Sequence, residues 1–285
     1  MDEKTHPRTG RKFPSPVPPG SGWPGDPATK STPVARSASE VEGLAKRAEA
    51  LADVEAATSV CRACPRLVEW REDVAQSRKR SFADQPYWGR PVPSFGAKHP
   101  SIVIIGLAPS AHGGNRTGRQ FTGDPSGDWL FAALHRAGLA NQATSVDAAD
   151  GLELDGVRLI PAVHCAPPQN KPSVTERDAC APWMRRELEL ITDDVEVLFT
   201  LGSFAWSAAL RSARALGWRV PKPQPKFGHG ALAQLHTPQG RAVTLLGSYH
   251  VSQRNTQTGA LTTKMLDDVL NQAKLIADRG DGLPH

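Results

Sequence analysis

SIVIIGLAPSAHGGNRTGRQFTGD, residues 101–124, is the stretch from which the fold is read. Residues 102–105 are uninterrupted Ile and Val, as expected of a short strand covered on both faces. The run stops at Gly106, and the loop beyond it carries Gly113, Gly114, Gly118 and Gly123 before closing on Asp124. A glycine-rich loop after a strand suggests a phosphate cradle. A P-loop, however, needs a lysine, and none lies between Gly106 and Asp124; the dinucleotide fingerprint G-x-G-x-x-G is absent here as well. The loop instead offers backbone amides with His112, Asn115, Arg116, Arg119, Phe121 and Asp124. An aromatic ring followed closely by an acid suits a flat, uncharged ring with chemistry at its edge. Glycines 113, 114 and 118 are expected to let the backbone pass close to such a ligand.

Three further apolar runs follow, VRLIPAV (157–163), VEVLFTL (195–201) and AVTLLGS (242–248). Helical spacing is found between and after them, around 127–139, 175–192, 203–216 and 262–279. This alternation predicts an α/β fold with a parallel sheet covered by helices on both faces. No internal repeat interrupts it. The strand ends run into GLAPSAHGG, HCAPPQN, LGSFA and YHVSQRN. Such sheets bind ligands beyond the carboxyl ends of their strands, so this rim is the expected working edge.

Upstream, eight of the 25 prolines fall within the first 40 residues. Residues 1–36 therefore read as a disordered Pro/Gly-rich tail, and residues 37–285 as a single domain. Order is expected from Ser39, whose spacing to Glu42 fits a capping box. Val41, Leu44, Ala45, Ala48, Leu51 and Ala52 then recur at helical spacing and lead into CRACPRLVEWRE. A net charge of +5 leans toward a polyanionic partner but equally fits a mildly basic soluble protein. No apolar run is long enough to span a bilayer, and the N-terminus lacks the apolar region of a secretory signal. A cytoplasmic, reducing setting is the expectation, in which cysteines serve as ligands or redox groups.

Cys61 and Cys64 form C-x2-C, and Cys165 and Cys180 follow with 14 residues between them. A four-thiolate site suits zinc or an iron–sulfur cluster, and spacing alone leaves both open beside a redox pair.

Taken together, GLAPSAHGGNRTGRQFTGD, HCAPPQNKP, GSYHVSQRNTQTG and the cysteine set resemble the family 5 uracil-DNA glycosylases, over residues 55 to 275. The resemblance implies a three-layer α/β/α sandwich around a four-stranded parallel sheet. It also implies a [4Fe–4S] cluster on Cys61, Cys64, Cys165 and Cys180 that ties on the N-terminal helix. The activity implied is a monofunctional, hydrolytic DNA glycosylase that starts base-excision repair at uracil and at deaminated purines such as hypoxanthine. Such an enzyme takes the damaged base out of the helix and into a pocket. Phe121 would stack on that base, with Gly106 and Ala108 lining the pocket. His250 would donate to the base oxygen as charge develops there, and Asp124 would orient water or balance positive charge on the sugar. Asn170 would read the base edge or share in catalysis. The plainer readings are that Asp124 caps the helix beginning near Ser126 and that Asn170 is a turn residue.

The wider superfamily carries a polar or acidic residue where this chain has Ala108, which shifts the chemistry onto Asp124, Asn170 and His250 and suggests a roomier pocket. DNA, double-stranded and also open to single strands, would be held by Ser252, Gln253 and Arg254. Arg116, Arg119 and Lys171 are further phosphate candidates. A monomer with no membrane partner is the simplest assembly. The competing function is a non-catalytic zinc- or cluster-bearing nucleic-acid-binding module.

Overall fold

The computed structural model describes residues 2–280. The chain opens with a short hairpin, β1 (Lys4–Thr5) and β2 (Lys12–Phe13). Three helices follow, α1 (Ala38–Arg47), α2 (Leu51–Ser59) and α3 (Pro65–Ser77). Next come β3 (Phe95–Gly96), β4 (Ile102–Gly106), α4 (Gly114–Thr117), α5 (Pro125–Arg136) and β5 (Val157–Pro161). The rest of the chain is α6 (Val174–Leu190), β6 (Val197–Leu201), α7 (Ser203–Ala215), β7 (Leu232–His236), β8 (Ala242–Ser248), α8 (Gln253–Gln257) and α9 (Thr263–Arg279).

One sheet of six strands, in the order β3-β5-β4-β6-β8-β7, organises the domain. Its inner four strands, β5, β4, β6 and β8, are mutually parallel and coincide with the four apolar runs. The expectation of a four-stranded sheet is corrected by two edge strands, β3 and β7, which pair antiparallel and make the sheet mixed. Successive side chains of a strand face opposite ways, so each run builds two cores. Ile102 and Ile104 of β4 pack with Leu130, Phe131 and Leu134 of α5 and with Leu266 and Leu270 of α9. Val103 and Ile105 turn the other way, among Met184 and Leu188 of α6 and Ala205, Trp206 and Ala209 of α7. The result is helix, sheet, helix, as the alternation implied. From β4 the chain moves to β5 on one side and then to β6 on the other. The order thus reverses at β4, where such sheets form their binding crevice.

Two N-terminal expectations are corrected. Residues 2–36 are not a loose tail but a strap laid on the domain. Phe13, Val17 and Trp23 are buried together against Trp88 and Val92. Asp26 forms an ion pair with Arg90 at 2.7 Å, and His6 approaches Asp147 at 3.3 Å. Isolated apolar anchors between prolines have no periodicity, yet each finds a site supplied by a distant segment. The first helix is capped by Ser37, whose side chain accepts from the Glu40 amide, while the Glu40 carboxylate accepts from the Arg36 amide. Ser39 lies inside that helix, and the chain breaks at Ala48 before α2 begins.

Candidate active site

Beyond the carboxyl ends of β4, β5 and β8 an open cavity of about 290 Å³ is lined by Ala108, Ser110, Gln120, Phe121, Asp124, Asn170, His250 and Ser252, among others. Segments far apart in sequence, around Phe121, Asn170 and His250, therefore meet at one rim. The strand register places them there. Gly106 pairs with Pro161, so the loops after β4 and β5 leave the sheet side by side.

Asp124 answers both of its readings. Its Oδ1 accepts from the amides of Ser126 and Gly127, each at 3.0 Å, and so caps α5. Its Oδ2 accepts from the hydroxyl of Ser110, another residue of the cavity lining, which itself accepts from the Gly113 amide at 3.0 Å. Gly113 is required by this arrangement, because a Cβ there would lie 2.0 Å from Oδ2. The loop glycines therefore make room for protein rather than for a ligand: Gly113 faces Asp124, Gly114 faces Pro109, and Gly118 faces Trp23 and Trp88.

Phe121 holds a left-handed backbone conformation, φ 49°, uncommon for a residue with a side chain. Its ring lies over Gly106, where a Cβ would be 3.0 Å from the ring edge. It is half-buried, with one side on the core and the cavity beside it. The His250 ring is 6.3 Å away between centroids and inclined by 36°. Burial lowers the affinity of His250 for a proton, and the charge of Asp124 opposes this without reversing it. The imidazole is thus neutral at neutral pH, with one N–H to donate. Asn170 also has a positive φ, 55°, as does Gln169 before it. Its exposed side-chain amide has no hydrogen-bond partner among the described residues and is free for a ligand.

Ser252 stands at the N-cap position of the short α8 at the cavity mouth, and Gln253 and Arg254 stand exposed on its first turn. Lys171 is exposed as well. Arg116 and Arg119 are corrected as phosphate ligands, since both are buried and committed within the protein. Arg116 donates to the carbonyls of His112 and Gly123 and to Gln85, and stacks 3.9 Å from the Phe82 ring centroid. Arg119 pairs with Asp150 at 2.7 Å. Ser110 and Gln120 were not anticipated from sequence. Ser110 is found only through its contact to Asp124. The Nε2 of buried Gln120 donates to the carbonyls of Val92 at 3.0 Å and Pro93 at 3.5 Å.

The four cysteines line a second cavity behind this rim, walled by Leu67, Val163 and Trp183 among others. Cys61 lies between α2 and α3, Cys64 immediately precedes α3, Cys165 follows β5 and Cys180 is in α6. What they bring together is the start of α3 with the β5 loop. The first helix, expected to be tied on by them, packs on α6 through Val41 and Ala45 against Trp183. Among the described residues no three His, Cys, Asp or Glu side chains close on a single metal-ion position. The buried Arg71 guanidinium donates to the Cys165 sulfur at 2.9 Å. Burial and the neighbouring sulfurs raise the thiol of Cys64 to about 12, and that of Cys180 well above its usual value. Such thiols become thiolates only with a compensating cation, which suits soft-metal ligands. No helix among the described residues is long and apolar enough to cross a membrane.

Residues 93–274 match the Uracil DNA glycosylase superfamily. The type-5 uracil-DNA glycosylase of Mycobacterium tuberculosis (strain CDC 1551 / Oshkosh) is 57% identical over 272 residues, 95% of this chain and 98% of its own. That of Thermus thermophilus is 50% identical over 219 residues, 77% of this chain and 94% of its own. The enzyme of the same name from Pyrobaculum aerophilum is 41% identical over 220 residues, 77% of this chain and 89% of its own. The chain belongs to the uracil-DNA glycosylase superfamily, within its type-5 family.

Proposed function

We propose that this protein is a monofunctional DNA glycosylase that hydrolyses the N-glycosidic bond of uracil, and of other deaminated bases such as hypoxanthine, to start base-excision repair. The observation that carries this reading is the single cavity shared by Phe121, Asp124, Asn170 and His250, reached from separate strand ends. An everted base stacks on Phe121, a contact worth roughly 1–3 kcal/mol for a nucleic-acid base. As the C1′–N bond breaks, its electron pair leaves with the base and positive charge builds on the sugar. The neutral imidazole of His250 donates its N–H to the base oxygen on which the charge collects. Asp124, fixed by three donors, holds a carboxylate toward the sugar, where it orients water and balances the oxocarbenium charge. Water adds to C1′ and loses a proton to solvent while the expelled base anion takes one up, leaving free base and an abasic sugar. Asn170 reads the base edge with its side-chain amide or shares in catalysis. Ser252, Gln253 and Arg254 meet the DNA at the mouth, on duplex or single strand, one monomer to each lesion.

Cys61, Cys64, Cys165 and Cys180 would hold a [4Fe–4S] cluster. A cluster gives each thiolate its own iron, which fits four sulfurs that share a cavity without closing on one point, beside a buried cation. Its part would be to brace the fold; the chemistry above belongs to the other cavity. Incubation with a duplex carrying one deoxyuridine, followed by alkali, tests the function: scission at that position is expected, and an intact strand overturns it. A binding module without catalysis would retain the duplex and cleave nothing.

A further inference from the structure

Gln120 is 2% exposed, lines the cavity beside Phe121, and has no role in the chemistry above. Its orientation is fixed by its surroundings. Both hydrogen bonds of its side chain run from Nε2 to main-chain carbonyls, of Val92 and Pro93, and carbonyls only accept. Turning the amide over would set Oε1 against two oxygens, so the acceptor end must be the free one. Oε1 has no partner among the described residues, yet it is not one of the sealed, unpartnered atoms. An acceptor open to a ligand cavity is met by water in the free protein and, once that water is displaced, needs a donor from the ligand.

Resting on the glycosylase reading, we propose that Gln120 Oε1 is a specificity determinant that accepts the ring N–H created by deamination. Cytosine carries a lone pair on N3, and uracil carries N3–H. Adenine carries a lone pair on N1, and hypoxanthine carries N1–H. In each pair deamination converts a ring acceptor into a donor, the change that an acceptor in the wall reads. The undamaged base places its lone pair against Oε1 and leaves both unpaired, the situation in which a polar pocket discriminates strongly. Thymine and guanine also carry the N–H, so Gln120 does not separate thymine from uracil or guanine from its deamination product.

The test measures binding rather than cleavage, so that the leaving-group strength of each base does not enter. Duplexes carry the 2′-fluoroarabino analogue of deoxyuridine, deoxycytidine or thymidine, whose glycosidic bonds resist hydrolysis, or a stable abasic site. Wild-type protein is expected to prefer the uracil over the cytosine duplex by about tenfold or more, the worth of one buried hydrogen bond with its unpaired alternative. In Gln120→Met the ratio should fall below about threefold, with the uracil-to-thymine ratio and the affinity for the abasic duplex unchanged. A Gln120→Met protein that keeps the wild-type uracil-to-cytosine ratio overturns the proposal while wild-type excision of uracil leaves the glycosylase reading intact. Wild-type protein that neither excises uracil nor prefers it overturns both. Should Gln120→Met fail to fold, the wild-type complex with uracil labelled with 15N at N3 decides: an imino proton protected from exchange is expected, and rapid exchange overturns the proposal.

Discussion

Asp124→Asn separates two tasks carried by one side chain. Oδ1 caps α5 through the amides of Ser126 and Gly127, and Oδ2 meets the Ser110 hydroxyl beside the cavity. Asparagine keeps an oxygen in the Oδ1 position and is as good a cap as aspartate, so the helix start should survive. The negative charge and the second acceptor are lost. If the carboxylate orients water and balances sugar charge, the single-turnover rate on a uracil duplex should fall by about 10²–10⁴, or roughly 3–5 kcal/mol of barrier. Asp124→Ala should lose the same activity and the cap as well, typically ~1 kcal/mol, which in a domain of this size lowers Tm by about 2–4 °C. The assay is excision with enzyme in excess, with a thermal melt of each variant. An Asn variant within tenfold of the wild-type rate would make Asp124 a cap and nothing more. An Asn variant melting as low as the Ala variant would refute the division of labour between the two oxygens.

The arginines supply a matched pair of expectations. Arg254→Ala should reduce the slope of log affinity against log salt by about 1 with no change in melting, as for loss of one phosphate contact. Arg119→Ala breaks the buried pair with Asp150 and should cost about 3–5 kcal/mol of stability; a stable variant with a smaller salt slope would restore Arg119 as a DNA ligand. For His250, burial disfavours the imidazolium, so its NMR titration midpoint should lie below 6.5, leaving the ring neutral at pH 7; a midpoint above 6.5 contradicts the neutral donor. Protein purified anaerobically should be brown from thiolate-ligated iron and sulfide, and Cys165→Ser should bleach it and lower the melting temperature. Colourless wild-type protein containing zinc refutes the cluster.

The inner strands were legible because both of their faces are buried, leaving runs such as Ile102–Ile105 with no polar interruption. The edges were not. β3 has two residues, and β7, LAQLH, alternates buried and half-buried positions with a glutamine and a histidine among them. The cavity residues in the three loop motifs were legible by kind, since an aromatic, an acid, an amide and an imidazole all stand at strand ends. The direction of a side chain was not. Arg116 and Arg119 sit in that same loop and resemble anion ligands, but Gln85 and Asp150, each 31 residues away, claim them inside the protein. Gln120 shows the converse: its neighbours in sequence give no hint that two main-chain carbonyls near Val92 will fix its amide.

Chemistry carried on loops depends on what stops the loops from moving, and here the restraints come from outside the sheet. Trp23 of the N-terminal strap donates to the Thr117 carbonyl at 3.1 Å, and the Gly123 amide donates to Ser145 at 2.8 Å. From the other side, Asn115 donates to the main-chain carbonyl of Arg71 at 3.1 Å, and the Arg71 guanidinium reaches Cys165. Cys165 lies five residues before Asn170, and the Ala108 methyl packs in the cluster that contains Cys165. The cysteine cavity is thus joined to the cavity of Phe121 and His250 twice, along the chain to Asn170 and through Arg71 and Asn115 to the loop that ends at Asp124. A group that fills it needs no electron transfer to matter for catalysis. By holding Cys165 in place it would limit where both Asn170 and the Asp124 loop can go, over a few bonded and hydrogen-bonded steps.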